Sequence, residues 1–135
     1  MSARTIVAII GNPNPGGRTT TVAKAVGDAI AAAVAAAGDE ATVEIVELAD
    51  VAARLFEWDN ADVTALAARV AAADVVIAAC PTYKATFTGL LKAFLDRYGT
   101  DGLAGCVGVP VVVGAALHHA LAPEAHLRPL LVALG

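Results

Sequence analysis

Four short apolar runs, Thr5–Ile10, Thr42–Leu48, Val75–Cys80 and Val107–Val113, alternate with stretches whose apolar residues recur at helical spacing. A continuous β-branched run of this kind reads as a strand buried on both faces, as in parallel sheets. Thr42–Leu48 instead alternates around Val43, Ile45 and Leu48, which suits an edge strand with one wetter face. The order β-α-β-α-β-α-β-α predicts an α/β fold, a three-layer doubly wound parallel sheet with helices on both faces. Right-handed crossovers leave few topologies, and the strand order 2-1-3-4 is the natural one.

The helical stretches differ in clarity. Arg18 and Thr19–Thr21 open the first, Val22, Val26, Ile30 and Val34 stripe it, and Gly38 ends it. Residues 50–60 read as a helical turn before a loop. Asn60 or Asp62 caps a short helix with Val63, Leu66 and Val70 on its inner face. Phe87, Leu90, Leu91, Phe94, Leu95 and Tyr98 make the cleanest amphipathic pattern. The last helical region, around Leu117–Leu134, contains Pro123 and Pro129, so a kink or break is expected there. Pro110 removes one ladder donor from the fourth strand.

Composition sets limits on function. Hydrophobic residues are 58% and charged ones 16%, far too apolar for a disordered chain. Aromatics are only 4% and Ala adds little volume, so Val, Ile and Leu must fill the core. A net charge of −4 with no basic stretch argues against a nucleic-acid partner. No uninterrupted apolar run of about 20 residues is present, so no membrane span is expected. The N-terminal apolar run is too short for a signal peptide, and a cytoplasmic protein is the expectation. Cys80 and Cys106 lie in apolar runs without metal spacing and read as buried free thiols. No repeat or linker divides residues 1–135, which read as a single domain.

In open α/β sheets, ligands sit beyond the carboxyl ends of the strands, where strand order reverses. Here that point lies between the first and third strands. Three loops leave those ends: 11–19, 81–86 and 114–119. In the first, Gly11-Asn12-Pro13-Asn14-Pro15-Gly16-Gly17 excludes helix and strand. It leads into a helix N-terminus, where unpaired N–H groups, Arg18 and the hydroxyls of Thr19, Thr20 and Thr21 suit a terminal phosphate. It is neither a Walker loop nor a Gly-x-Gly-x-x-Gly fingerprint. Its plainer reading is a Gly/Pro-rich turn before a helix. In the second, Tyr83 beside Thr82 suits packing on a planar ring, or simple cover of the sheet end. In the third, Gly114, Ala115 and Ala116 allow close approach of a flat ligand. His118 and His119 suit acid/base work better than a metal, because no Cys or carboxylate stands at metal spacing.

Over its whole length, these loops included, the chain resembles the NAD(P)H-dependent FMN reductases, in particular the reductase components of two-component alkanesulfonate monooxygenases. The specific match is Pro81-Thr82-Tyr83-Lys84-Ala85-Thr86-Phe87-Thr88-Gly89-Leu90-Leu91-Lys92, continuing to Leu95-Asp96. Gly102-Leu103-Ala104-Gly105, and His119 leading to Leu127-Arg128-Pro129-Leu130-Leu131, extend it. The resemblance implies a flavodoxin-like fold, FMN as cofactor and NADPH or NADH as hydride donor. It implies that Asn12, Arg18, Thr19 and Thr20 hold the phosphate. Pro81, Thr82, Tyr83, Lys84 and Ala85 would line the flavin ring, with Gly114, Ala115 and His119 completing the pocket. No catalytic triad and no metal ligand are implied. The family's usual serine before the arginine is Gly17 here, and its Gly-Gly-Ser is Gly114-Ala115-Ala116.

The resemblance also implies a fifth strand after the last helix, where this chain stops at Gly135. The domain then reads as C-terminally incomplete, with an apolar fourth strand at the edge. A homodimer or homotetramer, assembled through helices that include Ala125–Arg128, is the implied assembly. A flavin-dependent monooxygenase, a quinone or oxygen is the implied acceptor. Two alternatives remain: a flavodoxin-type electron carrier, and a shortened flavin-free relative acting through protein contacts. Trp58 reads as a packing residue or loop cover. Asp96 and Arg97 read as a solvated helix end, and His118 and His126 as surface groups. Glu124 is placed to pair with Arg128.

Overall fold

The computed structural model describes residues 2–135. It contains β1 (Arg4–Ile10), α1 (Arg18–Ala36), β2 (Ala41–Glu47), a 3-10 segment (Leu48–Arg54), α2 (Ala61–Ala71) and β3 (Val75–Pro81). There follow α3 (Gly89–Leu95), β4 (Val107–Val113), a 3-10 turn (Leu117–His119), a π-helical turn (Pro123–Leu127) and α4 (Arg128–Val132). The strands form one parallel sheet in the order β2-β1-β3-β4, as the alternation of elements predicts.

The first and third apolar runs behave as strands buried on both faces, whereas β2 and β4, at the sheet edges, are largely half-buried or exposed. Ile6 to Ile10 are each at most 3% exposed, and Val76 to Cys80 at most 1%. Their side chains alternate between two cores, as the two-residue period of a strand requires. Ile6, Ala8, Ile10, Ile77 and Ala79 meet α1 on one face. Val7, Ile9, Val76, Ala78 and Cys80 meet α2, α3 and the C-terminal segments on the other. Each fully buried Ile or Leu contributes ~1.5–3 kcal/mol, so β1 and β3 anchor the fold.

The buried line of α1 is Thr19, Ala23 and Gly27, whereas Val22 is exposed. The expected Val22–Val34 stripe therefore lies turned off the sheet, and only Val26 and Ile30 of it pack there. Small residues prevail because the helix sits close: a Cβ on Gly27 would lie 2.8 Å from Val43 Cγ1. At 19 residues and mean hydropathy 1.2, α1 matches a membrane span in length and composition alone, an effect of its alanines, and it packs on the sheet through Thr19, Ala23 and Gly27.

Asn60 caps α2 by accepting from Val63 N at 3.1 Å, and Val63, Leu66 and Val70 are its buried residues. The helix expected from Phe87 starts only at Gly89, because the Thr88 hydroxyl caps it through Leu91 N at 3.2 Å. The proline-bearing C-terminal region is broken as expected, and Leu117 and Leu121 stand exposed. Arg97 is not a solvated end. It donates to the carbonyls of Leu55 (2.8 Å), Glu57 (3.2 Å) and Trp58 (3.3 Å), and lies 5.2 Å from the Trp58 ring centroid. It thereby fastens the 55–60 loop to α3. Cys106 is only half-buried and donates to Ala71 O.

Candidate functional site

Parallel register sets the site. Ile10 pairs with Ala79 and Pro81 with Val113, so the loops after β1, β3 and β4 leave the same end of the sheet side by side. All the residues singled out in those loops, from Asn12 to His119, are brought to that end.

The first loop is tied down at its root. Gly11 N donates to Ala79 O at 2.7 Å, and the buried Thr88 hydroxyl donates to Gly11 O at 2.6 Å. Only glycine fits at position 11, since a Cβ there would lie 2.6 Å from Leu91 Cβ. Asn12 Oδ1 accepts from Asn14 N at 3.0 Å, which closes a local turn. Gly16 then turns the chain with φ +71°. The N-cap of α1 is Gly17, with no side-chain cap and no acidic residue in the first turn. The first N–H groups of α1 therefore stay open to an anion, and the helix dipole adds about 0.3–1 kcal/mol for one. Arg18 is exposed at the first helical position and forms no ion pair among the described residues. Thr19 is buried beside it at 2% exposure.

Thr20 departs from the expectation. Its hydroxyl donates at 2.6 Å to Glu47 Oε1, at the end of β2, which also accepts from Gly16 N at 3.1 Å. The Thr20 proton is therefore committed to protein. Glu47 is the site-region residue that sequence reasoning missed: nothing local marks it, and only the pairing of Ile10 with Glu47 brings it beside the loop.

The second loop is a two-residue turn. Tyr83 N donates to Thr86 O (3.0 Å) and Thr86 N to Tyr83 O (3.2 Å). Lys84 and Ala85 hold φ of 50° and 67°. This is the type I′ pattern, which normally takes Asn or Gly, so both residues carry strain. Tyr83, Lys84 and Ala85 are exposed, while Pro81 and Thr82 are half-buried. Thr82 N donates to Val113 O at 3.0 Å, which joins this loop to β4. The Thr82 hydroxyl oxygen is buried and has no partner among the described residues.

The third loop faces that hydroxyl. A Cβ on Gly114 would lie 3.3 Å from Thr82 Oγ1 and 3.8 Å from His119 Cβ. Gly114, Ala115 and His119, with Val112 and Pro123, line a cavity of about 280 Å³. The rings of His118 and His119 lie together, with centroids 4.0 Å apart. A second cavity of about 260 Å³ lies away from these loops, between β4 and α4, lined by Gly108, Pro110, Leu131 and Gly135. Its lining is chiefly apolar, and its two polar side chains are already engaged, Arg128 with Glu124 and Cys106 with Ala71 O, so the loop end is the better candidate site.

Beneath the site, burial pushes the Cys80 thiol above its usual range, so it is a packing group and not a nucleophile. The donor set fits a flavin mononucleotide. Open N–H groups and Arg18 suit its phosphate, the Gly114–Ala115 face admits a flat ring, and the orphaned Thr82 hydroxyl awaits a polar edge.

An FMN reductase (NADPH) from Pseudomonas putida is 42% identical over 65 residues, which are 48% of this chain and 33% of that protein. The chain thus matches about a third of that relative's length. Among solved structures, an NADH:FMN oxidoreductase in its apo form superposes with TM-score 0.83 at 33% identity, covering 98% of this chain and 70% of that one. An oxidoreductase from Corynebacterium diphtheriae gives 0.85 at 28% identity, covering 98% and 75%. The model of the NADPH-dependent FMN reductases matches residues 4–135, and the chain belongs to that family.

Proposed function

We propose that this protein binds FMN at the three-loop end of its sheet and reduces it with NADPH or NADH. The observation that carries the reading is the uncapped first turn of α1, with Arg18 beside it, opening onto the same sheet end as the Gly114 cradle. The N–H groups of Gly17, Arg18 and Thr19 and the Arg18 guanidinium hold the phosphate, and Asn12 shapes the turn below it. Pro81, Thr82, Tyr83, Lys84 and Ala85 border the ring on one side. Gly114, Ala115 and His119 border it on the other. When bound, FMN supplies the ring that takes hydride from the nicotinamide, and the protein supplies position and electrostatics. The fixed type I′ turn presents backbone polar groups to the ring edge without further ordering cost. Thr20 supports the loop through Glu47 and does not touch the ligand by its proton.

The relatives named above use NADPH in one case and NADH in another, and both remain donors in this reading. The reduced flavin passes to a flavin-dependent monooxygenase, a quinone or oxygen. The chain acts as a homodimer or homotetramer in the cytoplasm. Exposed Leu117, Leu121 and Val132, on the C-terminal segments near Ala125–Arg128, support an apolar assembly surface there. The electron-carrier alternative calls for aromatic rings stacking on the flavin, and Tyr83 is the one Phe, Tyr or Trp in the three loops.

The test follows nicotinamide absorbance with each donor, with and without added FMN. Saturable, FMN-dependent oxidation supports the reading and ranks the two donors. Tight flavin binding without oxidation turns it into an electron carrier. A protein that takes up no flavin at high FMN overturns it.

A further inference from the structure

We infer that Glu47 is a positioning residue for phosphate binding, a clasp from β2 that sets the shape of the 11–20 loop. The inference rests on the proposed binding of FMN phosphate at that loop. One carboxylate oxygen accepts from two donors on either side of the open segment: Gly16 N–H at the loop's left-handed apex, and the Thr20 hydroxyl in the first turn of α1. Between these two fixed points lie Gly17, Arg18 and Thr19, whose N–H groups have no helical partner. The clasp therefore fixes how those donors sit relative to one another. It uses donors that the phosphate does not need and leaves free those that it does.

Two further observations separate Glu47 from an ordinary strand-end carboxylate. The first turn of α1 holds no acidic residue, so Glu47 brings, from another element, the negative charge that a helix N-terminus favours. Its second oxygen, Oε2, is buried with no partner among the described residues. A shielded, unpaired carboxylate oxygen is costly, and a freely moving surface glutamate would turn it to water. The contact with the loop holds the side chain inward. The carboxylate charge itself opposes a nearby phosphate, so the acceptor oxygen carries the benefit.

The experiment compares FMN with riboflavin, which has the same ring and no phosphate, by flavin fluorescence quenching. Wild-type protein should prefer FMN. Glu47→Ala should weaken FMN by about fivefold or more, the worth of one ordinary hydrogen bond. Riboflavin should stay within about twofold, since its contacts lie elsewhere. Glu47→Gln keeps the acceptor and should bind FMN as tightly as wild type, or tighter. Thr20→Val, which leaves the Gly16 contact in place, should repeat part of the FMN-specific loss, and the Glu47→Ala, Thr20→Val double variant should lose no more than Glu47→Ala alone.

Equal losses of FMN and riboflavin, or unchanged FMN binding in Glu47→Ala, overturn the clasp. So do additive losses in the double variant, which make Thr20 a direct phosphate ligand. If Glu47→Ala does not fold, Thr20→Val and Glu47→Gln decide by the same criteria. Wild-type protein that binds both flavins equally fails differently: it removes the phosphate-loop reading and the clasp with it.

Discussion

The β1–β3 half of the site and the β4 half are built to different standards. The loop after β1 is held by three other elements: Ala79 of β3, Thr88 at the cap of α3, and Glu47 of β2. The loop after β4 is held at its root by one contact to Thr82 and otherwise by its own turn, His119 N to Ala116 O and Ala120 N to Leu117 O. The flanking strands differ in the same sense, since β1 is buried along Ile6–Ile10, whereas β4 is exposed at Val107 and Gly108 and half-buried from Val109 to Val113. The difference teaches a division of labour. An anion site needs donors fixed before the ligand arrives, because their geometry carries the affinity. A flat ring needs a surface of small residues, and it gains area when that surface can adjust.

The sharpest way to break this comparison is to place a methyl in each half. Gly11→Ala drives its Cβ to 2.6 Å from Leu91 Cβ and 3.2 Å from Leu91 Cα, neither of which can yield. A loss of about 3 kcal/mol in urea unfolding is expected, the upper end of overpacking costs. Gly114→Ala meets only the Thr82 hydroxyl at 3.3 Å and looser contacts at 3.8 Å. Its unfolding free energy should change by less than about 0.5 kcal/mol, while flavin affinity falls. Similar stability losses at both positions would show that the two halves are equally constrained.

Arg18→Ala tests the tightly held half by its ligand. The guanidinium is exposed and unpaired with any described residue, so its removal should leave stability nearly unchanged. FMN binding should weaken by at least ~1.5 kcal/mol, the worth of a charged hydrogen bond, and riboflavin binding should not. Unchanged FMN affinity would remove Arg18 from the phosphate site.

What the sequence made legible follows from range. Asn60 and its helix were readable because a cap and its N–H lie three residues apart. β1 and β3 were readable because burial on both faces leaves unbroken apolar runs, and β2 because an edge strand alternates. Hidden features need partners far along the chain. Glu47 meets Gly16 across 31 residues, and Arg97 meets Leu55 across 42. The buried face of α1 was misread for another reason: hydrophobic stripes are sought in large side chains, and this face is Thr19, Ala23 and Gly27. The turn at Lys84–Ala85 was hidden because its φ values call for Asn or Gly, and neither stands at those two positions.

That turn offers a finer test, since it joins the two halves. Ala85→Gly removes the steric cost of φ 67° but loosens the unfolded chain. The net result should be a gain of about 0.5–1 kcal/mol by thermal unfolding, with flavin affinity unchanged because the turn keeps its shape. A loss of stability would mean that the turn relaxes in solution and that its strain is not held by Tyr83 and Thr86.

The smallest effect is the most informative about the open half. Leu117 is 93% exposed, so in a lone chain Leu117→Ser should change unfolding free energy by less than about 0.5 kcal/mol. If a second copy covers this surface, Leu117 is buried in the assembly, and the substitution acts on association instead. The midpoint of wild-type unfolding would then rise with protein concentration, as it must when folding is linked to assembly. That dependence would weaken in Leu117→Ser, and sedimentation would show a lighter species. A concentration-independent midpoint in both proteins would leave the 114–121 loop open to solvent, with the ring surface formed by one chain alone.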